Sequence, residues 1–362
     1  MEEQRIKELL EVLSSSFQKI LYEDDEQFLE NMKDNNLAGD DVRKYQHWEW
    51  TQGVGLYGLW KLYDKTGDVR YKEMLDRFYD EAFKTGLPAK NINTTAPMLP
   101  LSFLAEAEKD ERKMSVCRQW AEAVMNEYPR TEEGGLIHRT SDSKNEGELW
   151  DDTLFMTVLF LANMGRIENR QDYMDEAVYQ YLVHIKYLTD RKTGLFYHGW
   201  TFNGRNNFAE GLWGRGNSWL TASIPELFTI IDVPPYVKKY LVNALVGQVD
   251  ALARFQDGSG MWHTLIDDKT SYLETSATSG FGYGILKGIH EGLLSDKYKD
   301  VALKALKAVA DRVAEDGVVK DVSYGTPMGR ESKDFYKEIP IMPMPYGQAM
   351  AMLFFIEALW EY

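Results

Sequence analysis

The stretch SATSGFGYGILKGI, Ser276 to Ile289, holds four glycines and a single charge, Lys287, in fourteen residues. Its bulky apolar residues recur at helical spacing but leave no charged face for water, so a helix formed here is buried nearly all round. QGVGLYGLWKLY (52–63) and GQAMAMLFFIEALW (347–360) read the same way. VRYKEMLDRFYDEAF (69–83) and YKDVALKALKAVADRVAED (298–316) differ, each carrying one apolar stripe and one charged face. A chain with both kinds of helix needs an inner layer and an outer one.

Periodicity, caps and breakers predict about twelve helices and few strands, over 4–21, 49–65, 69–84, 98–109, 111–127, 152–165, 168–188, 215–231, 234–254, 272–292, 297–314 and 345–360. Connections alternate in length. DKTGDVR (64–70), GRIENR (165–170), DVPP (232–235) and LSDKYK (294–299) are tight turns, whereas the segments entering the second, fourth, sixth, eighth, tenth and twelfth helices are long. With odd helices outside and even helices inside, every long loop lies at one end and every tight turn at the other. The expectation is an all-α fold, an (α/α)6 barrel forming one catalytic domain over 1–362.

Four of the long loops place a glycine before a short apolar stretch: GGLIHR (134–139), TGLFYHGW (193–200), GSGMWHT (258–264) and EDGVVKDV (315–322). Each is expected to form a short strand or hairpin at the barrel mouth. Three of them carry a histidine, His138, His198 and His263, so half of the six histidines occupy equivalent places on one rim.

Composition narrows the function. A formal net charge of -16 repels nucleic acid and anionic membranes. No apolar run is long enough for a membrane span, and the start, MEEQRIKELLEVL, is acidic and amphipathic, unlike a leader, so a cytoplasmic location is expected. The lone Cys117 has no partner for an internal disulfide and reads as a packed helical position.

HWEW (47–50), KNINTTAP (90–97), HRTSDSKNEGELWDD (138–152), YHGW, WGRGNSW (213–219) and MWHT (261–264) all lie in loops entering inner helices. Tryptophan, histidine, aspartate, asparagine and arginine therefore converge on one pit. Flat rings, polar groups for hydroxyls and a carboxyl to move a proton suit a saccharide. Histidine spacing and the absence of a cysteine set argue against a metal centre, and no phosphate-cradling glycine loop is present. No cofactor is expected. In WGRGNSW, Arg215 between glycines offers a planar charged fork for a carboxylate, unless it pairs with a rim acid such as Glu210.

LWDDTLFM (149–156), together with WGRGNSW, YHGW, GGLIH, KNINTTAPM and LETSATSGFGYGILKGI (273–289), resembles the unsaturated uronyl hydrolases, glycoside hydrolase family 105 and its relative family 88, over roughly residues 40 to 358. The pattern is most similar to the unsaturated rhamnogalacturonyl hydrolase branch. The resemblance implies the (α/α)6 barrel and a small oligosaccharide substrate ending in a 4,5-unsaturated uronic acid. It implies hydration of the C4=C5 bond, with an aspartic acid protonating C4, water adding at C5, and spontaneous expulsion of the aglycone.

By position the resemblance selects Asp152 as general acid and base. Asp151 falls where the family often has an apolar residue and reads as a helix-capping or solvated acid. Arg215 would hold the C6 carboxylate, Trp213 and Trp219 would shape the pocket, Trp150 would stack, and His198 and His138 would contact sugar or water. Asn93 stands where some members have an acid and is expected only to bind. Asp152 must be at least partly protonated to act. A helix N-terminus opposes this, while burial against Trp150 and the charge of Asp151 favour it. Rival readings are an inverting glycosidase pairing Asp152 with Glu49, Glu148 or Glu274, an epimerase using His198 and His263, and a non-catalytic carbohydrate-binding barrel.

Overall fold

The computed structural model describes residues 1–361. Helices α1 (Glu3–Ile20), α2 (Glu26–Asn35), α3 (Trp50–Thr66), α4 (Val69–Thr85), α5 (Met98–Glu108) and α6 (Glu111–Asn126) make up the first third. Strand β1 (Glu148–Trp150) leads into a helix that begins at Asp152, runs as a π-helical turn over Leu154–Val158 and continues as α7 (Leu159–Glu168). Then come α8 (Gln171–Leu188), β2 (Gly199–Thr201), α9 (Gly214–Ile230), α10 (Pro235–Phe255), β3 (Trp262–His263), β4 (Leu273–Glu274), α11 (Thr275–His290), α12 (Lys299–Ala310), α13 (Phe335–Glu338) and α14 (Pro345–Ala358).

Helices α3, α5, α7, α9, α11 and α14 pack side by side in a closed ring, α14 lying between α11 and α3. Around them α4 packs on α3, α6 on α5 and α7, α8 on α7, α10 on α9, α12 on α11 and α1 on α14. This is the (α/α)6 barrel, and each of the twelve expected helices is present.

Glycine sets the tightness of the ring. A Cβ at Gly284 would collide with the Thr221 carbonyl of α9, and one at Gly282 with the Phe354 ring of α14, so α11 sits as close to both neighbours as backbone permits. Towards the tight-turn end, buried Glu226 of α9 accepts hydrogen bonds from Tyr57 and Lys61 of α3 and from Tyr283 of α11, tying three inner helices. Aspartates start two of the outer helices: Asp68 accepts from Arg70 N at α4, and Asp110 from Arg112 N and Lys113 N at α6. Cys117 is fully buried, and burial pushes its thiol pKa up.

Short β pairings mark the mouth. Single bridges Arg130–Leu136, Thr189–Phe196 and Val313–Val319 close three of the glycine-led segments, and the fourth contributes β3, antiparallel to β4. Pairing of β1 with β2, with Trp150 opposite Gly199, joins two loops far apart in sequence. Helices α2 and α13 lie outside the sequence expectation. Among the described residues, no helix is long and apolar enough to cross a membrane.

Candidate active site

Every inner helix presents its N-terminus at the long-loop end, where a cavity of about 550 Å³ opens. Trp50, Trp150, Trp213 and Tyr346 line it with rings, and Glu49, Asn93, His138, Asp152 and Arg215 with polar groups. Each expected site residue except Trp219 and His198 therefore reaches the wall. Those two stand just behind it. Trp219 meets Trp50 edge to face, and His198 touches both Trp150 and Asp152. His263 is not among the lining residues, and its Nδ1 is bonded to the Ser271 carbonyl.

The β1–β2 pairing delivers Trp150 and His198 to the same place, and the helix that follows carries Asp152. The His138 ring stacks on Trp150 at 4.6 Å, and its Nδ1 meets Thr153 Oγ1 at 2.9 Å. Burial holds the His138 pKa down at about 4, so its ring is neutral at ordinary pH. His198 is also buried and depressed. Its tautomer follows from its neighbours. Gly329 N donates to Tyr336 Oη, which leaves the phenol proton for His198 Nδ1 at 2.7 Å. The Nε2 proton then faces Asp152 Oδ2 at 3.4 Å.

The two aspartates part company. Asp152 keeps some exposure to the cavity. Burial alone would raise its pKa, but His198, with His138 behind it, holds the carboxyl well below the usual range. Asp151 is fully buried, and neither of its oxygens finds a hydrogen-bond partner. Burial first, and the Asp152 charge second, push its pKa well up. The reading of Asp151 as a helix-capping or solvated acid is therefore corrected: the side chain turns inward beneath α9, where Gly216 lacks the Cβ that would strike its carboxylate. Asp151, Asp152 and His198 bring one donor atom each within 4.8 Å of the others, a spacing open to a cation or to a shared proton.

Arg215 is 1% exposed, sandwiched at 4.7 Å from both the Trp213 and Tyr346 rings. Its Nη1 donates to the Ser323 carbonyl and hydroxyl, and its Nη2 to the Tyr324 carbonyl and Thr326 hydroxyl. The fork thus grips the loop at 323–326, and its nearest acid is Glu274 at 3.9 Å, not Glu210.

Two of the three candidate partner carboxyls are committed elsewhere. Glu274 caps α11 and binds Ser323 N, while Glu148 pairs with Arg330 and accepts from the Trp150 indole. Glu49 remains. It lines the cavity, accepts from Ser141 Oγ at 2.7 Å, and is pushed up by burial to about 7. The sequence reading assigned no site role to α2, whose Phe28 and Asn31 reach the cavity, or to Arg330 and Tyr336, which arrive from the far C-terminal loop.

Residues 25–362 match the model of Glycosyl Hydrolase Family 88. The chain is 33% identical over 315 residues, 86% of its length and 90% of the relative's, to the unsaturated rhamnogalacturonyl hydrolase YesR of Bacillus subtilis (strain 168). It is similar to two solved structures described as possible members of family GH105. One, from Salmonella enterica serovar Paratyphi A, is 42% identical with a TM-score of 0.92, covering 100% of this chain and 95% of that one. The other, from Klebsiella pneumoniae, is 42% identical with a TM-score of 0.91, covering 98% and 94%. A ring of inner helices opening on an aromatic pit with an aspartate on its wall is thus a glycosidase scaffold, and the chain belongs to glycosyl hydrolase family 88.

Proposed function

We propose that the enzyme removes a 4,5-unsaturated uronic acid from the non-reducing end of lyase-generated oligosaccharides, with a rhamnogalacturonan-derived disaccharide as the best substrate. The observation that carries this reading is that Asp152 reaches the cavity with only the long His198 contact upon it, while Glu148 and Glu274 are bound to other groups. Hydration of an enol ether asks for one carboxyl used twice, and Asp152 fits that role, while Glu49, also on the wall, accepts from Ser141 Oγ.

In the proposed reaction Asp152 donates its proton to C4, and positive charge develops at C5 and the ring oxygen. Water adds at C5 and returns a proton to Asp152, leaving a hemiketal that opens and releases the aglycone. Trp150 and Trp213 flank the sugar ring. Arg215, its Nη donors held by the 323–326 loop, supplies fixed positive charge towards the C6 carboxylate and keeps Thr326 at the cavity wall. His198 presents Nε2–H to the carboxylate form of Asp152, and His138 and Asn93 contact hydroxyls or water. The loop over 322–345 and α2 shape the aglycone side. The substrate is a small oligosaccharide, and the reading assigns no metal, cofactor, nucleic-acid or membrane partner and a cytoplasmic location.

The test follows the ultraviolet absorbance of the conjugated enol-uronate in unsaturated rhamnogalacturonan disaccharide, with wild type beside Asp152→Asn. Loss of absorbance with wild type alone supports the assignment. No loss on this substrate or on unsaturated glucuronyl disaccharides overturns it.

A further inference from the structure

Among the described residues, Asp151 is the only carboxyl with both oxygens buried and without a hydrogen-bond partner. A buried carboxylate in that state is costly, and the usual remedies are a proton, a cation or a donor. No donor within the protein meets hydrogen-bond geometry to it. Gly216, in the first turn of α9, clears the space that the Asp151 carboxylate occupies, and the Trp213 ring closes the other side. The nearest ionisable neighbour is Asp152, whose buried Oδ2 also lacks a hydrogen bond within the protein.

We propose that Asp151 and Asp152 form a coupled pair that binds one proton between them at neutral pH, with Asp151 as the positioning residue that keeps the catalytic acid supplied. Two carboxylates this close, in a site walled by Trp150 and Trp213, do not both ionise readily, so the first proton leaves the pair easily and the second leaves late. Resting on Asp151, the proton leaves Asp152 free to accept from His198. On Asp152, it faces the substrate. When it passes to C4, the pair becomes doubly negative, and the water that adds its hydroxyl to C5 returns one proton to the pair. One proton leaves the pair and one comes back in each turnover.

Every charged or titratable neighbour bears on this. His198 and His138 face Asp152 and favour its carboxylate. The N-terminal turn of α9 favours the carboxylate of Asp151, and Arg215 lies in that same turn. Tyr336 approaches from the C-terminal loop and shares the field of both acids. Glu148 acts on His198. Full burial of the Asp151 carboxyl, beside the partly exposed Asp152, decides where the proton rests.

The proposal rests on the reading of Asp152 as the acid, and the experiment separates the two. Infrared spectra of the substrate-free enzyme at pH 7 should show, besides the half-titrated Glu49, one protonated carboxyl that persists in Asp152→Asn and vanishes in Asp151→Asn. The alkaline limb of kcat/KM for Asp151→Asn should move towards acid by about one pH unit or more, with activity regained at low pH. A wild-type enzyme with no protonated carboxyl at neutral pH besides that of Glu49 overturns the proposal. So does an unmoved alkaline limb in folded Asp151→Asn, or a stoichiometric divalent metal that this variant loses. Should Asp151→Asn fail to fold, the spectra of wild type and Asp152→Asn still decide. Turnover by Asp152→Asn would instead sink the assignment of the acid while leaving the infrared result standing.

Discussion

Replacing Arg215 with alanine separates two jobs that its position in WGRGNSW suggests equally well. A residue kept for ligand alone would be idle in the free enzyme. In the structure it is 1% exposed, makes four hydrogen bonds to residues 323–326 and lies between two aromatic rings. Removing one partner of a buried charged set costs about 3–5 kcal/mol. The lower end applies, because Tyr346 Oη also donates to the Ser323 carbonyl and Thr326 Oγ1 to the Tyr324 carbonyl, so neither is orphaned. For a chain of 362 residues the unfolding entropy is about 0.8 kcal/mol/K, so a loss of about 3 kcal/mol lowers Tm by about 4 °C. Calorimetry of substrate-free Arg215→Ala should show that fall, along with a raised KM on the unsaturated disaccharide. Arg215→Lys should recover part of KM but little of Tm, since an ammonium cannot span the loop as the fork does. An unchanged Tm with KM alone raised would refute the loop-gripping role.

Three further outcomes follow from buried groups. Glu49 has a folded pKa of about 7 against an ordinary 4.5, so the folded state binds the extra proton: stability is full below pH 4.5 and falls as pH rises to about 7. That gap is worth about 3 kcal/mol, so Glu49→Gln should be more stable than wild type at pH 8 and equal to it at pH 4, and thermal melts that stay parallel across this range would contradict the assignment. Tyr336→Phe removes the donor to His198 Nδ1 and the acceptor of Gly329 N, and should cut kcat about tenfold with KM little changed, whereas an undiminished kcat would show that the tautomer is fixed otherwise. Cys117 should resist thiol reagents at pH 8 in the folded enzyme and react fully in denaturant, and native labelling would show that the α6 face opens.

Much of this was legible before any coordinates, for a physical reason. An inner helix betrays itself by lacking a charged face, and GFGYG marks where one helix must touch another. Loop lengths then set the end at which Trp150, Asp152 and Trp213 meet. What escaped reading depends on burial and on distant partners. Asp151 and Asp152 are equivalent as letters, and only the missing Cβ of Gly216 shows that the first points inward. The Nη donors of Arg215 are taken by residues 108 to 111 positions later, and His198 is set by Tyr336, 138 positions away. Helix α2 hides because its stripe, Phe28, Leu29 and Met32, is short and only Met32 is fully buried.

The last inner helix closes the ring between α11 and α3, and the first outer helix packs on that last one. Closure of the circle therefore waits on a helix that follows the other eleven barrel helices along the chain. Until α14 is in place, α3 lacks one flank, α1 lacks its main seat, and Tyr346 is absent from beside Arg215. A copy clipped ahead of α14 consequently carries Asp152 without the walls that give it purpose, so the barrel ties competence for sugar chemistry to the arrival of its closing helix.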